Sequence, residues 1–213
     1  MEKADPKSRR PDGRHLRSVR TRQAIIEAYL ALLRESPLVP TAAQIAKRAG
    51  CSTRSVFERF EDLLTLSIAT ADYVFAQGLA LAVPRNADAD RRTRVKSQVE
   101  TRGQVCELWL PIWRALVRNQ DESDLLRARV GNVYDLVGQR LQLMYAPELS
   151  TLPTAEQKQL LIALESLIDF ESWGRMRERH GLSVEAACDV WINAIDRLLP
   201  PTPPGPIAQT QQR

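Results

Sequence analysis

The stretch "TAAQIAKRAGCSTRSVFERF", residues 41–60, decides the fold, because it holds two short helical segments joined by a turn. Thr41 followed three residues later by Gln44 is a capping box: the hydroxyl takes an orphan backbone N–H while the amide reaches back to the cap. The segment stops at Gly50, which suits the left-handed backbone of a tight turn. Ser52 then caps a second short helix that runs to about residue 59. Ile45, Ala49 and Val56 fall where two steeply crossing helices bury side chains, and Ala46 is small enough to let them approach.

That packing leaves Thr53, Arg54 and Ser55 near the N-terminus of the second helix, on the side away from Val56. In a helix-turn-helix these positions meet base edges in a major groove. Arg54 would fork onto a guanine, and Thr53 or Ser55 would meet a phosphate, a base edge or a thymine methyl. The same residues also suit an ordinary helical hairpin with a polar outer face. Their place near the N-terminus, the run of capped helices and a basic flank favour the DNA-binding module.

The flank is a matter of charge distribution. The net charge of the 213 residues is only +4, yet residues 1–66 hold 13 Lys/Arg against 8 Asp/Glu. Residues 1–22 alone hold 8 against 3. This is the composition of an arm that lies along phosphates, and equally of a solvated tail. A disordered basic arm is expected over residues 1–16, with Arg17, Arg20 and Arg22 just behind it at the start of the first helix.

The stretch resembles the TetR family of one-component transcription regulators. That family's pattern is matched by Thr41, Ile45, Ala46, Ala49, Gly50, Ser52, Val56, Phe60, Asp62 and Leu66, over about residues 20–70. Three residues depart from it: Phe57 stands where Tyr is usual, Arg59 where His or Tyr is common, and Leu63 where Lys is usual. The resemblance implies an all-α chain that binds double-stranded operator DNA as a homodimer through Arg20, Arg22, Thr41, Ser52, Thr53, Arg54, Ser55, Phe57 and Arg59. Phe57 and Leu63 remove two expected phosphate contacts, one of which Arg59 would restore as a charged donor.

Outward from this stretch the pattern stays helical. Val19, Ile25, Ile26, Tyr29, Leu32 and Leu33 line one face of a helix over 18–35. Further helices are predicted at 62–81, 89–101, 104–118, 123–145, 155–180 and 184–199. Gly103 is read as dividing two of them, and Pro111 as kinking its helix or marking its start. The last residues, "PPTPPGPIAQTQQR", hold five prolines and no apolar pattern, which predicts a disordered tail over 200–213. The expected organisation is therefore an arm at 1–16, a helix-turn-helix domain at 17–66, a helical effector-binding and dimerisation domain at 67–199, and the tail.

In the larger domain, Val184, Ala187, Cys188, Trp191, Ile195 and Leu198 repeat at helical spacing, as do Leu160, Leu164, Leu167 and Ile168. Two such helices from each subunit would form a four-helix bundle, which makes Leu160, Leu164, Leu167, Ile168, Cys188, Trp191 and Ile195 the expected dimer interface. The same pattern would serve a monomer's own core. Trp109, Trp113, Tyr134, Leu141, Met144, Phe170 and Trp173 are mostly aromatic or soft, and they are the candidate lining for a small, mostly apolar effector.

Other functions find little support. With two histidines, no GxSxG, no phosphate-cradling glycine loop and no paired metal-ligand spacing, no enzyme, cofactor or metal is expected. Cys51, Cys106 and Cys188 are an odd, widely spaced set that fits a reducing cytoplasm better than a disulfide framework. The longest clean apolar run, "AYLALL" at 28–33, is too short to span a membrane. The competing reading is a helical interaction protein whose helix-turn-helix no longer binds DNA, motivated by the absent Tyr hydroxyl and Lys.

Overall fold

The structure, a computed structural model, describes residues 13–36, 38–79 and 83–204. These are helical with no strand among them, and the chain divides into two compact units between Tyr73 and Val74.

The first unit holds α1 (Gly13–Glu35), α2 (Ala42–Ala49), α3 (Thr53–Phe57) and the start of α4 (Leu63–Leu79). Its core is Ile25, Ile26, Tyr29 and Leu33 of α1, Ile45 and Ala46 of α2, Val56 of α3, and Phe60 and Leu66 beyond it, all buried. Outside that core Arg48 of α2 pairs with Glu35 of α1 at 2.6 Å, a surface link worth little by itself. The arm expected over residues 1–16 lies outside the described residues as far as residue 12. Gly13 to Leu16 belong to α1 instead, since no proline separates them from the periodic face that follows.

The second unit is built on α5 (Arg91–Asn119). Around it lie α6 (Asp124–Met144), α7 (Ala146–Leu149), α8 (Thr154–Leu167), α9 (Phe170–Gly174), which runs on as a π-helical turn over Arg175–Arg179, and α10 (Val184–Leu198). Helices α6, α9 and α10 all pack on α5, which is why α5 buries residues along its whole length.

The two helices predicted at 89–101 and 104–118 are thus one. Gly103 does not break α5 because its role is close approach. A Cβ there would sit 2.9 Å from Cη2 of Trp173 and 3.0 Å from Sγ of Cys188. Pro111 also lies inside α5 rather than at its start, with no N–H to give the carbonyl of Glu107. Conversely, the single helix predicted over 155–180 is split at Ile168. Asp169 takes an extended backbone and accepts the Glu171 N–H at 2.8 Å, so it caps a new helix. We expect Gly103→Ala to destabilise the protein by about 1–3 kcal/mol, since Trp173 and Cys188 are both buried and have nowhere to retreat. Urea unfolding would measure this, and an unchanged midpoint would mean that the indole moves aside freely.

The interior of this unit is not wholly apolar. Arg94 and Glu148 form a fully buried ion pair at 2.5 Å, and Arg94 also donates to the carbonyls of Met144 and Ala89 at 3.0 and 3.1 Å. Thr202 donates to the same Glu148 carboxylate. Nearby, Arg91 donates to the Asp196 carboxylate and to the carbonyls of Asp196, Leu199 and Pro200, closing the end of α10. The prediction of a disordered tail over 200–213 fails at its start, since Pro200 and Thr202 are held by side chains of α5 and α7; residues 205–213 lie outside the described part. Burial pushes the Cys106 thiol up to about 12 and that of Cys188 up to about 11, so neither is a thiolate near neutral pH.

Candidate functional site

Helix α2 starts at the capping box read from the sequence. The Gln44 N–H donates to the Thr41 hydroxyl at 3.3 Å and the Thr41 N–H to the Gln44 amide oxygen at 2.8 Å. It ends at Gly50, whose φ of 68° lies in the left-handed region. Two further bonds complete a Schellman closure, from the Gly50 N–H to the Lys47 carbonyl at 3.4 Å and from the Cys51 N–H to the Ala46 carbonyl at 3.0 Å. The chain then turns at once into α3. Ser52 caps it by accepting the Ser55 N–H at 3.1 Å.

Val56 and Phe60 anchor α3 in the first unit's core. That fixes which side faces out: Ser52, Thr53, Arg54 and Phe57 are exposed and Ser55 is half-buried. The exposed Arg54 donates through Nε to Glu58 at 2.9 Å. This ion pair was missed in the sequence although its i, i+4 spacing was visible. Binding through Nε leaves the two terminal nitrogens of the fork for a guanine edge. Phe57 presents a bare ring to solvent where a tyrosine would have offered a hydroxyl. Arg59 is turned back onto its own helix, donating through Nη1 to the Ser55 carbonyl at 3.0 Å with its side chain mostly covered. This position does not favour Arg59 as the substitute phosphate donor.

Thr41 and Arg20 are exposed. The Arg22 guanidinium lies 4.8 Å from the centre of the Phe60 ring, so it is held against α3's own anchor. The exposed set thus comprises Arg20, Arg22, Thr41, Ser52, Thr53, Arg54 and Phe57, with the half-buried Ser55 at its margin.

In the second unit, three of the effector candidates come together. Phe170 stacks on Trp113 with ring centres 4.7 Å apart, and Tyr134 meets Trp113 edge-on at 5.4 Å. Burial raises the Tyr134 pKa, and the charge of Asp169 pushes it the same way. Trp109 stands elsewhere, edge-on to Phe75 at 5.8 Å and over Gly78. Trp173 tilts against Trp191 at 5.0 Å and donates from its indole to Glu107 at 2.8 Å. Leu141 and Met144 are fully buried in α6.

No family model matches this chain, and no curated protein matches it. Among solved structures it is similar to a proposed TetR-family transcriptional regulator from Rhodococcus sp., with a TM-score of 0.59 and 19% identity, covering 85% of this chain and 100% of that one. It is also similar to a transcriptional regulator from Rhodococcus sp. Rha1, with a TM-score of 0.64 and 16% identity, covering 85% of this chain and 99% of that one. The chain has the TetR-type fold.

The residues expected at the dimer interface are for the most part covered within the chain itself. Leu164, Ile168, Cys188, Trp191 and Ile195 are buried inside the protomer itself, and Leu160 and Leu167 are partly covered. Their helical repeat marks the face that packs on the protomer's own core; α10, for example, lies on α5. The large apolar side chains that α8 and α10 leave exposed are Ile162 at 54%, Val190 at 45% and Leu198.

Proposed function

We propose that the chain is a one-component transcriptional regulator, a cytoplasmic repressor that binds double-stranded operator DNA as a homodimer and is released by a small effector. The observation that carries this reading is α3: a capped helix anchored by Val56 and Phe60 that presents Thr53 and Arg54 outward, in a chain whose fold is that of described regulators. Residues 17–66 would be the reading head, with residues 67–199 holding the effector and the dimer contacts. Two heads on one dimer read a near-palindrome whose half-sites lie about one helical turn or more apart. An effector that favours a different separation of the heads lowers DNA affinity by a coupling of typically about 1–3 kcal/mol.

Selection of bound fragments from genomic DNA tests the proposal. Enrichment of a common near-palindromic sequence is the expected result. Recovery of no enriched fragment would leave the interaction-protein reading in its place. Once an operator is in hand, Arg54→Ala should weaken binding by about 1–3 kcal/mol and relax the preference at one base pair. Titrations against operators varied at each position measure this, and an equal loss on every DNA would contradict a base-reading Arg54.

A further inference from the structure

Arg94, Gln98 and Arg102 lie at i, i+4 and i+8 on one face of α5, and all three are buried. Arg94 has its carboxylate in Glu148. Gln98 accepts a hydrogen bond from Nε of Arg140. Arg102, only 8% exposed, has no carboxylate within ion-pair distance among the described residues. Its Nε donates to the Ile168 carbonyl at 2.9 Å, and its guanidinium lies 4.4 Å from the centre of the Phe170 ring. Its two terminal nitrogens donate to nothing among the described residues. A buried charge without a counter-charge is costly, so one that persists invites a partner from outside the chain.

The surroundings describe that partner. From Arg102 a row of rings runs through Phe170 and Trp113 to Tyr134, which is 46% exposed. The row has a positive charge at its inner end and solvent at its outer one. The carboxylate of Asp169, which accepts the Glu171 N–H, keeps its negative charge but makes no ion pair with Arg102. Arg140 adds a second positive group, whose pKa is lowered by burial and pushed the same way by the charges of Arg102 and Arg85. A single planar fork matches a carboxylate in size and charge. Ring faces match a flat apolar body.

We propose that Arg102 is the anion-binding end of the effector site, and that the effector is a small carboxylate with a flat apolar body. Its carboxylate takes the terminal nitrogens of Arg102, and its body lies against Phe170 and Trp113 after entering past Tyr134. This rests on the effector-released regulator proposed above, and it replaces a wholly apolar effector with an amphipathic one.

The test titrates the full chain, without DNA, with benzoate, phenylacetate and cinnamate and with their primary amides, following tryptophan fluorescence and thermal shift. At least one carboxylate should bind about tenfold or more tightly than its amide. Arg102→Gln should abolish that preference while leaving the amide's affinity nearly unchanged. Tyr134→Ala, a change at an exposed ring, should weaken acid and amide alike. If no carboxylate outbinds its amide on the unmodified protein, the inference is overturned, and this outcome does not depend on whether Arg102→Gln folds. Repeating the titration with operator bound separates the two proposals. Carboxylate binding without release of DNA would keep the site and sink effector-controlled release, whereas operator selection without carboxylate binding would sink only the site.

Discussion

Glu148→Ala is expected to destabilise the protein by about 3–5 kcal/mol, because it strips the carboxylate from a guanidinium that water does not reach. Arg94 would keep its two carbonyl acceptors, the Met144 and Ala89 oxygens, but lose the one carboxylate that pairs with it among the described residues. The Thr202 hydroxyl would lose its acceptor as well. The double variant Arg94→Met with Glu148→Leu should recover most of the loss, since it removes both charges and fills the volume with apolar atoms. Urea unfolding at one fixed protein concentration measures both, the fixed concentration being needed wherever subunits associate. A cost below about 1 kcal/mol for Glu148→Ala would mean that solvent reaches Arg94 after all.

The second large effect concerns assembly. Ile162 on α8 and Val190 on α10 are exposed apolar side chains on helices that pack against each other within the protomer. If the outward face of this pair is the dimer contact, Ile162→Asp with Val190→Asp yields folded monomers. Loss of the second reading head then lowers operator affinity by about 10²–10⁴-fold, the usual span between one-site and linked two-site binding. Light scattering gives the mass, circular dichroism the helix content, and titration the affinity. A double variant that stays dimeric would place the interface elsewhere. The comparison with Ile195→Asp is informative, because Ile195 is fully buried in its own protomer and a charge there should unfold the chain rather than split a dimer.

These cases mark what was legible in the sequence and what was not. The α2–α3 segment could be read almost residue by residue, because its caps, its glycine turn and its anchors act over three to five positions, and each leaves a local signature. The exposure of Thr53 and Arg54 followed from the burial of Val56. The second unit was less legible because its determinants are distant in sequence. Gly103 looked like a break and Pro111 like a kink or a helix start, yet α5 passes through both, Gly103 being small for the sake of Trp173 and Cys188. The periodicity of α10 located a buried face correctly but carried no information on whose surface would cover it. The Arg102 environment was hidden for the same reason: nothing near residue 102 announces that Ile168 and Phe170 will arrive beside it. Asp169 has the side chain of an N-cap residue, but the apolar period running across it on both sides masks the break.

The grip of Arg91 on the end of α10 has a further consequence, for the order of events during synthesis. Its partners at residues 196–200 are among the last of the described fold to be made. The first unit depends on contacts among α1, α2 and α3, close together in sequence, and it can reach its final form while the rest is still being translated. The second unit cannot: α5 must wait, its apolar flank uncovered, until α10 and Pro200 have left the ribosome. The nascent chain thus carries a finished first unit while its helix bundle is still incomplete, and on this order of events it is the bundle that needs shelter from aggregation until the last turn is made.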